Sequence, residues 1–187
     1  MMITEQIITV FGGSRAQEGD ADYREARELG RTLAEKGFAV CTGGYGGVMA
    51  AVSRGAKDGG GKTYGVTADS FRGAKANEWV DVEVRVKDWK ERLFELIKMG
   101  DGLVACKGGS GTLAELAVAW EMMNKSVTPV KPFVALGEFW QPILKQVNDA
   151  SPDDGGAETS SPLLRLSAVE TAAQAVNYLS ERLKPKR

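Results

Sequence analysis

Histidine is missing from all 187 residues of this chain, and that absence excludes more chemistry than any residue present. Without imidazole there is no Ser-His-Asp hydrolysis, no His-ligated zinc and no imidazole acid–base step. An enzyme built from this chain works with carboxylates, Arg, Lys, Tyr or Ser. Cysteine is scarce as well: Cys41 and Cys106 are the two present, with no C-x-x-C pair. Neither thiolate zinc nor redox cycling is indicated, and each cysteine reads as a small core residue at a strand end. Charge of one sign is also lacking, since 24 Lys and Arg stand against 25 Asp and Glu. With no basic cluster interleaved with aromatics, no nucleic-acid surface is expected. Nowhere do 18 apolar residues run together, and no positive segment opens an apolar stretch at the N-terminus. The expectation is no membrane span, no signal peptide and a cytoplasmic protein. No G-x-x-x-x-G-K-[ST] occurs, and Gly44-x-Gly46-x-x-Met49 lacks the third small residue of a dinucleotide fingerprint. No resident cofactor and no metal site are expected.

What is present is an alternation. Apolar runs of four to six residues alternate with amphipathic stretches of ten to seventeen, the pattern of a parallel α/β sheet. The length suits one domain over 1–187 that buries about 70% of its unfolded surface. The reading is an open parallel sheet of six or seven strands with helices on both faces. Strands are expected at 7–11, 38–41, 63–66, 80–86 (an edge), 102–106, 133–136 and 163–166. Helices are expected between them, including one from Val48, one from Trp89, and one over 139–147. Residues 150–161, rich in Ser, Pro, Gly and Asp, read as a mobile loop. Ser167-x-x-Glu170 reads as a capping box opening a terminal helix over 167–184.

Three of the expected strands end in glycine loops: Gly12-Gly13-Ser14, Thr42-Gly43-Gly44-Tyr45-Gly46-Gly47 with Met49 beyond, and Lys107-Gly108-Gly109-Ser110-Gly111-Thr112. In a parallel sheet all three lie at the carboxyl ends of the strands, where ligands bind. The third loop leads into a helix whose free N–H groups favour an anion, with Glu115 beside it. Two readings of Thr112-x-x-Glu115 compete: a capping box that merely starts the helix, or a phosphate cradle with a working carboxylate. The following residues bear on the choice. Between Leu113 and Met123 nine of eleven residues are apolar, and only Glu115 and Glu121 are charged. A carboxylate on so apolar a helix is costly unless paired or used. Arg92, at the margin of the apolar stripe of Trp89, Leu93, Leu96 and Ile97, either snorkels along a helix edge or faces the cleft to pair with Glu115.

Taken together these elements resemble the LOG-type Rossmann-like proteins, a family long labelled as lysine decarboxylases. The P-G-G-x-G-T-x-x-E motif of that family is met by Gly108-Gly109-Ser110-Gly111-Thr112-Leu113-Ala114-Glu115, with Lys107 in place of the proline. A G-G-x-x-G-x-M element is met by Gly43-Gly44-Tyr45-Gly46-Gly47-Val48-Met49, and Phe11-Gly12-Gly13-Ser14, Tyr23 and Arg92 fall in family order. The resemblance spans about residues 5 to 150. It implies a phosphoribohydrolase that cleaves the N-glycosidic bond of nucleoside 5′-monophosphates, with Arg92 and Glu115 as the catalytic pair and the 108–112 turn holding the 5′-phosphate of an AMP-like ligand. Leu93 stands where a basic residue often follows the arginine, and Met122-Met123-Asn124-Lys125 departs from the base-pocket sequence of the plant enzymes. A second resemblance, to molybdenum-cofactor carrier proteins, implies a binding protein with the same anion cradle and no chemistry. The apolar 113–123 helix has more surface than one sheet face covers, so a homodimer packed through it is expected, as in the LOG family.

Overall fold

A computed structural model of the chain describes residues 5–150 and 165–183. The strands are β1 (Ile7–Phe11), β2 (Ala39–Thr42), β3 (Thr63–Ala68), β4 (Val82–Val86), β5 (Gly102–Ala105), β6 (Phe133–Leu136) and β7 (Ser167–Val169). The helices are α1 (Ala21–Glu35), α2 (Val48–Asp58), α3 (Trp89–Met99), α4 (Ser110–Asn124), α5 (Gln141–Ala150) and α6 (Ala172–Arg182). The seven strands form one sheet in the order β4-β3-β2-β1-β5-β6-β7, and every pair is parallel.

Alternation along each strand divides the core into two layers. Ile8, Val10, Val40, Val104 and Val134 meet α1, α2 and α6 on one face. Phe11, Cys41, Leu103, Ala105, Phe133 and Ala135 meet α3, α4 and α5 on the other. Both faces are therefore dry, which a parallel sheet requires. β1 and β5 lie side by side, Ile8 to Phe11 against Gly102 to Ala105. Chain order reverses between them, so the loops after these two strands flank the switch-point crevice.

Most expected elements are in place, and the differences have local causes. The helix expected at 139 begins with a 3-10 turn, Glu138–Trp140, before α5. Ser167 caps no helix, because Ser167–Val169 pairs with Val134–Leu136 as the edge strand β7. The capping box is instead Thr171 with Gln174: the Gln174 N–H donates to Thr171 Oγ1 (3.3 Å), and the Thr171 N–H donates to Gln174 Oε1 (3.1 Å). The last strand thus lies after 163–166, of which 163 and 164 fall outside the described residues. Ala150 closes α5, and the rest of the 150–161 loop also lies outside them.

Glycine lets α1 and α2 approach closely. A Cβ at Gly30 would stand 2.1 Å from the Val52 carbonyl oxygen, and one at Gly55 would stand 1.8 Å from that of Arg27. Both obstacles are backbone, so neither can rotate away. Gly→Ala inside a helix normally gains about 1 kcal/mol. Gly30→Ala is expected to destabilise by about 2 kcal/mol instead, through overpacking, and urea unfolding read by circular dichroism measures the sign.

Candidate active site

The three glycine loops are held to one another by their backbones. The Gly13 N–H donates to Lys107 O (3.0 Å), and the Val48 N–H donates to Gly13 O (2.8 Å). Gly47 allows this contact: its φ is +67°, and a side chain there would press on Gly13 O and Ser14. Above the loops opens a cleft of about 850 Å³, ample for a nucleotide.

The structure brings most of the sequence-derived candidates to that cleft. Gly12, Gly13, Ser14, Met49, Arg92, Lys107, Gly108, Gly109, Ser110, Gly111, Thr112 and Glu115 line it. Thr42, Gly43, Gly44, Gly46 and Gly47 do not, and they shape it from behind. Thr42 is buried, and its Oγ1 accepts the Gly44 N–H (3.1 Å). Gly43 leaves room for the arginine, since a Cβ there would lie 1.6 Å from Arg92 Nη2. The walls also include residues that were not among the site candidates, namely Arg15, Ala16, Asp22, Tyr45, Val48, Phe71, Ala74, Trp89 and Phe139. Of these, Tyr45 and Val48 lie within the G-G-x-x-G-x-M element, and Trp89 begins the apolar stripe beside Arg92.

α4 starts at Ser110 with Gly109 as its N-cap, and no side chain caps it. Thr112 is therefore not the cap and Glu115 does not reach back to it. Thr112 is buried in the first turn, its Oγ1 against the place a Gly108 side chain would occupy. Among the described residues, the N–H groups of Ser110, Gly111 and Thr112 make no hydrogen bond to the chain. Three unpaired donors and the positive end of a fifteen-residue helix face the cleft, an arrangement that favours an anion. Lys107 Nζ is 2.8 Å from Asp22 on α1, so the cation replacing the motif proline is tied to a carboxylate.

Arg92 and Glu115 meet on the floor of the cleft, with 5% and 9% of their surfaces exposed. Arg92 does not snorkel; its stem runs inward. Its Nε donates to Val66 O (2.8 Å), its Nη2 lies 3.7 Å from Met49 Sδ, and its Nη1 is 3.5 Å from Glu115 Oε1. Asp88 aims the helix that carries it, accepting the N–H groups of Lys90 and Glu91 at 2.9 and 3.0 Å. Burial pushes the Glu115 carboxyl up to about 7, and Arg92 only partly offsets it because the pair is loose. Burial also holds Arg92 below its ordinary value. A carboxyl that titrates near neutrality in a cleft is suited to proton or charge chemistry.

The chain belongs to the SLOG cluster4 family, whose model matches residues 5–159. It is 32% identical over 179 residues to the cytokinin riboside 5′-monophosphate phosphoribohydrolase LOG of Oryza sativa, covering 93% of this chain and 72% of that one. Among solved structures it is similar to the molybdenum cofactor carrier protein of Chlamydomonas reinhardtii, with a TM-score of 0.72 and 26% identity over 95% of this chain and 97% of that one. The molybdenum cofactor binding protein of Rippkaea orientalis shares the fold at a TM-score of 0.75 and 23% identity, covering 96% of this chain and 98% of that one.

Because Glu115 holds its proton in the folded chain up to about 7, against 4.5 unfolded, stability is expected to fall as pH rises between those values and then level off. Glu115→Gln removes that slope, which urea unfolding across pH 4–8 checks. Gly43→Ala is expected to displace the guanidinium while leaving the sheet folded. Loss of the protected Arg92 Nε–H signal in NMR, with unchanged circular dichroism, reads it.

Proposed function

We propose that the protein is a nucleoside 5′-monophosphate phosphoribohydrolase, releasing free base and ribose 5-phosphate. The observation that carries this reading is the buried Arg92–Glu115 pair on the floor of the cleft, within reach of an anion seated on the start of α4. Burying both charges is expensive. A protein that only binds a phosphate-bearing ligand needs the cradle and not the pair.

In this reading the 5′-phosphate sits on the N–H groups of Ser110, Gly111 and Thr112, and the ribose reaches toward Glu115. Breaking the C1′–N bond passes through an oxocarbenium-like state that a nearby carboxylate stabilises. Glu115 in its ionised form offsets the charge at C1′ and orients the attacking water or the ribose hydroxyls. Water oxygen bonds to C1′, the glycosidic electron pair leaves with the base, and the water proton ends on the base. Arg92 fixes the carboxylate and stabilises charge on the leaving group. The similarity to the rice enzyme supports the reaction class.

The likeness to the Chlamydomonas carrier favours a second reading, a protein that holds a phosphate-bearing pterin on the same cradle and transforms nothing. In either case we propose a homodimer through the outer face of α4, where Leu113 is 40% exposed on a helix whose inner side is already buried.

Purified protein is expected to release ribose 5-phosphate from AMP, other nucleoside monophosphates or isopentenyl-AMP. Glu115→Ala is expected to abolish turnover, and kcat/KM to rise with pH to a plateau above about 7 as the carboxyl ionises. No turnover with any of these nucleotides, alongside tight binding of the pterin cofactor, would establish the carrier reading. By light scattering the chain is expected to be a dimer that Leu113→Glu converts to a monomer; a monomeric parent chain would contradict the interface.

A further inference from the structure

Arg92 brings a positive charge into a nearly dry place, and much of what surrounds it is aromatic. Its Cζ lies 5.3 Å from the centroid of the Tyr45 ring and 5.6 Å from that of Phe71. Those rings contact each other, with centroids 5.7 Å apart and planes tilted by 58°. Both are fastened. The Ala68 N–H donates to the Tyr45 hydroxyl (2.9 Å), and the Phe71 N–H donates to Ala68 O (3.1 Å). Asn77 then ties the glycine loop that carries Tyr45, donating from Nδ2 to Gly44 O (3.0 Å) and Tyr45 O (2.9 Å). The connection from β3 to β4, which contains no helix, supplies Phe71 and Asn77 and so closes over the guanidinium.

Ring faces attract a guanidinium without neutralising it. A close arginine–carboxylate pair presents two N–H groups at about 2.7–2.9 Å. Here Nε is committed to Val66 O and Nη2 faces Met49 sulfur, which leaves Nη1 alone toward Glu115 at 3.5 Å. We propose that Tyr45 and Phe71 are positioning residues that hold the Arg92 guanidinium beside Glu115 but out of a close two-point ion pair with it. The carboxylate oxygens then stay available to the ribose hydroxyls or the attacking water. The chemical part of this inference rests on the phosphoribohydrolase reading; the geometric part does not.

Among the described residues, the other titratable groups that act on Arg92 are Cys41 in β2 and Tyr45 itself. Arg15, Asp22 and Lys107 line the same cleft, the last two paired with each other. None of these replaces the rings as a support for the guanidinium. With a ring removed, Arg92 turns and closes on Glu115, and a close cation favours the ionised carboxyl.

The test compares Tyr45→Leu, Phe71→Leu and Tyr45→Phe in the full chain, with thermal unfolding to establish that each is folded. Glu115 is titrated directly through its side-chain carboxyl carbon by NMR, the signal assigned with Glu115→Gln, and kcat and KM for AMP are measured in parallel. Both leucine variants are expected to move the Glu115 midpoint to lower pH by about one unit. They should also lower kcat about tenfold or more while KM changes little. Tyr45→Phe keeps the ring and is expected to restore most of both. A midpoint that stays in place or rises in the leucine variants would overturn the proposal, because the rings would then not set the separation. Should Tyr45→Leu fail to fold, Phe71→Leu, in the half-buried connection, decides alone. The NMR titration needs no turnover, so an inactive parent chain would count against the hydrolase reading and leave the positioning claim to the midpoint.

Discussion

Burying a guanidinium and a carboxylate together, without letting them close into a tight pair, is the constraint to which the rest of the site conforms. Each charge loses its water, and at 3.5 Å the mutual attraction recovers only part of that cost. The remainder is met by neighbours that do not neutralise: a carbonyl of β3, a thioether of α2, and two rings. Gly43 exists at its position because Arg92 fills the space its side chain would take. The ionised carboxylate is the costly form, which is why Glu115 keeps its proton up to about 7 despite the guanidinium beside it.

The sheet makes that arrangement affordable by fixing its parts independently. β2 ends in the loop that clears space for Arg92, β3 offers it a carbonyl, and β5 leads to the helix that carries Glu115. Loop-to-loop hydrogen bonds between Gly13, Lys107 and Val48 then lock the three strand ends into one rim. An anion attracted to the uncapped start of α4 arrives one helical turn from the carboxylate. The helix dipole and the carboxyl thus address two ends of a single ligand, one by attraction and one by reaction.

The fold was largely legible because its strands are short apolar runs bounded by glycine, and its helices, apart from the largely apolar α4, show an apolar stripe against a polar face. The ambiguities fall where a local pattern has two physical meanings. Thr112-x-x-Glu115 and Ser167-x-x-Glu170 both satisfy the capping-box pattern. In the first the helix had already begun at Ser110, and in the second pairing with β6 claimed the segment as strand. Neither outcome is visible within a few residues. Arg92 and Glu115 each stood out as a charge on an apolar surface, but that left two readings open for each, and the catalytic pairing was implied only by the family resemblance. The place of Phe71 in the cleft wall was not legible, because a lone aromatic in a loop carries no periodicity, and Trp89 read only as the start of an apolar helix stripe. The pairing of Lys107 with Asp22 joins α1 to a distant loop and has no sequence signature at all.

The central claim is where a nucleotide lies in the cleft. A crystal structure of the Glu115→Gln variant with AMP tests it most directly, because the substitution slows turnover and keeps the shape of the side chain. The 5′-phosphate is expected on the N–H groups of Ser110, Gly111 and Thr112, with C1′ against residue 115 and Arg92 still packed against Tyr45 and Phe71. A phosphate bound elsewhere in the cleft, or a ribose turned away from residue 115, would contradict it.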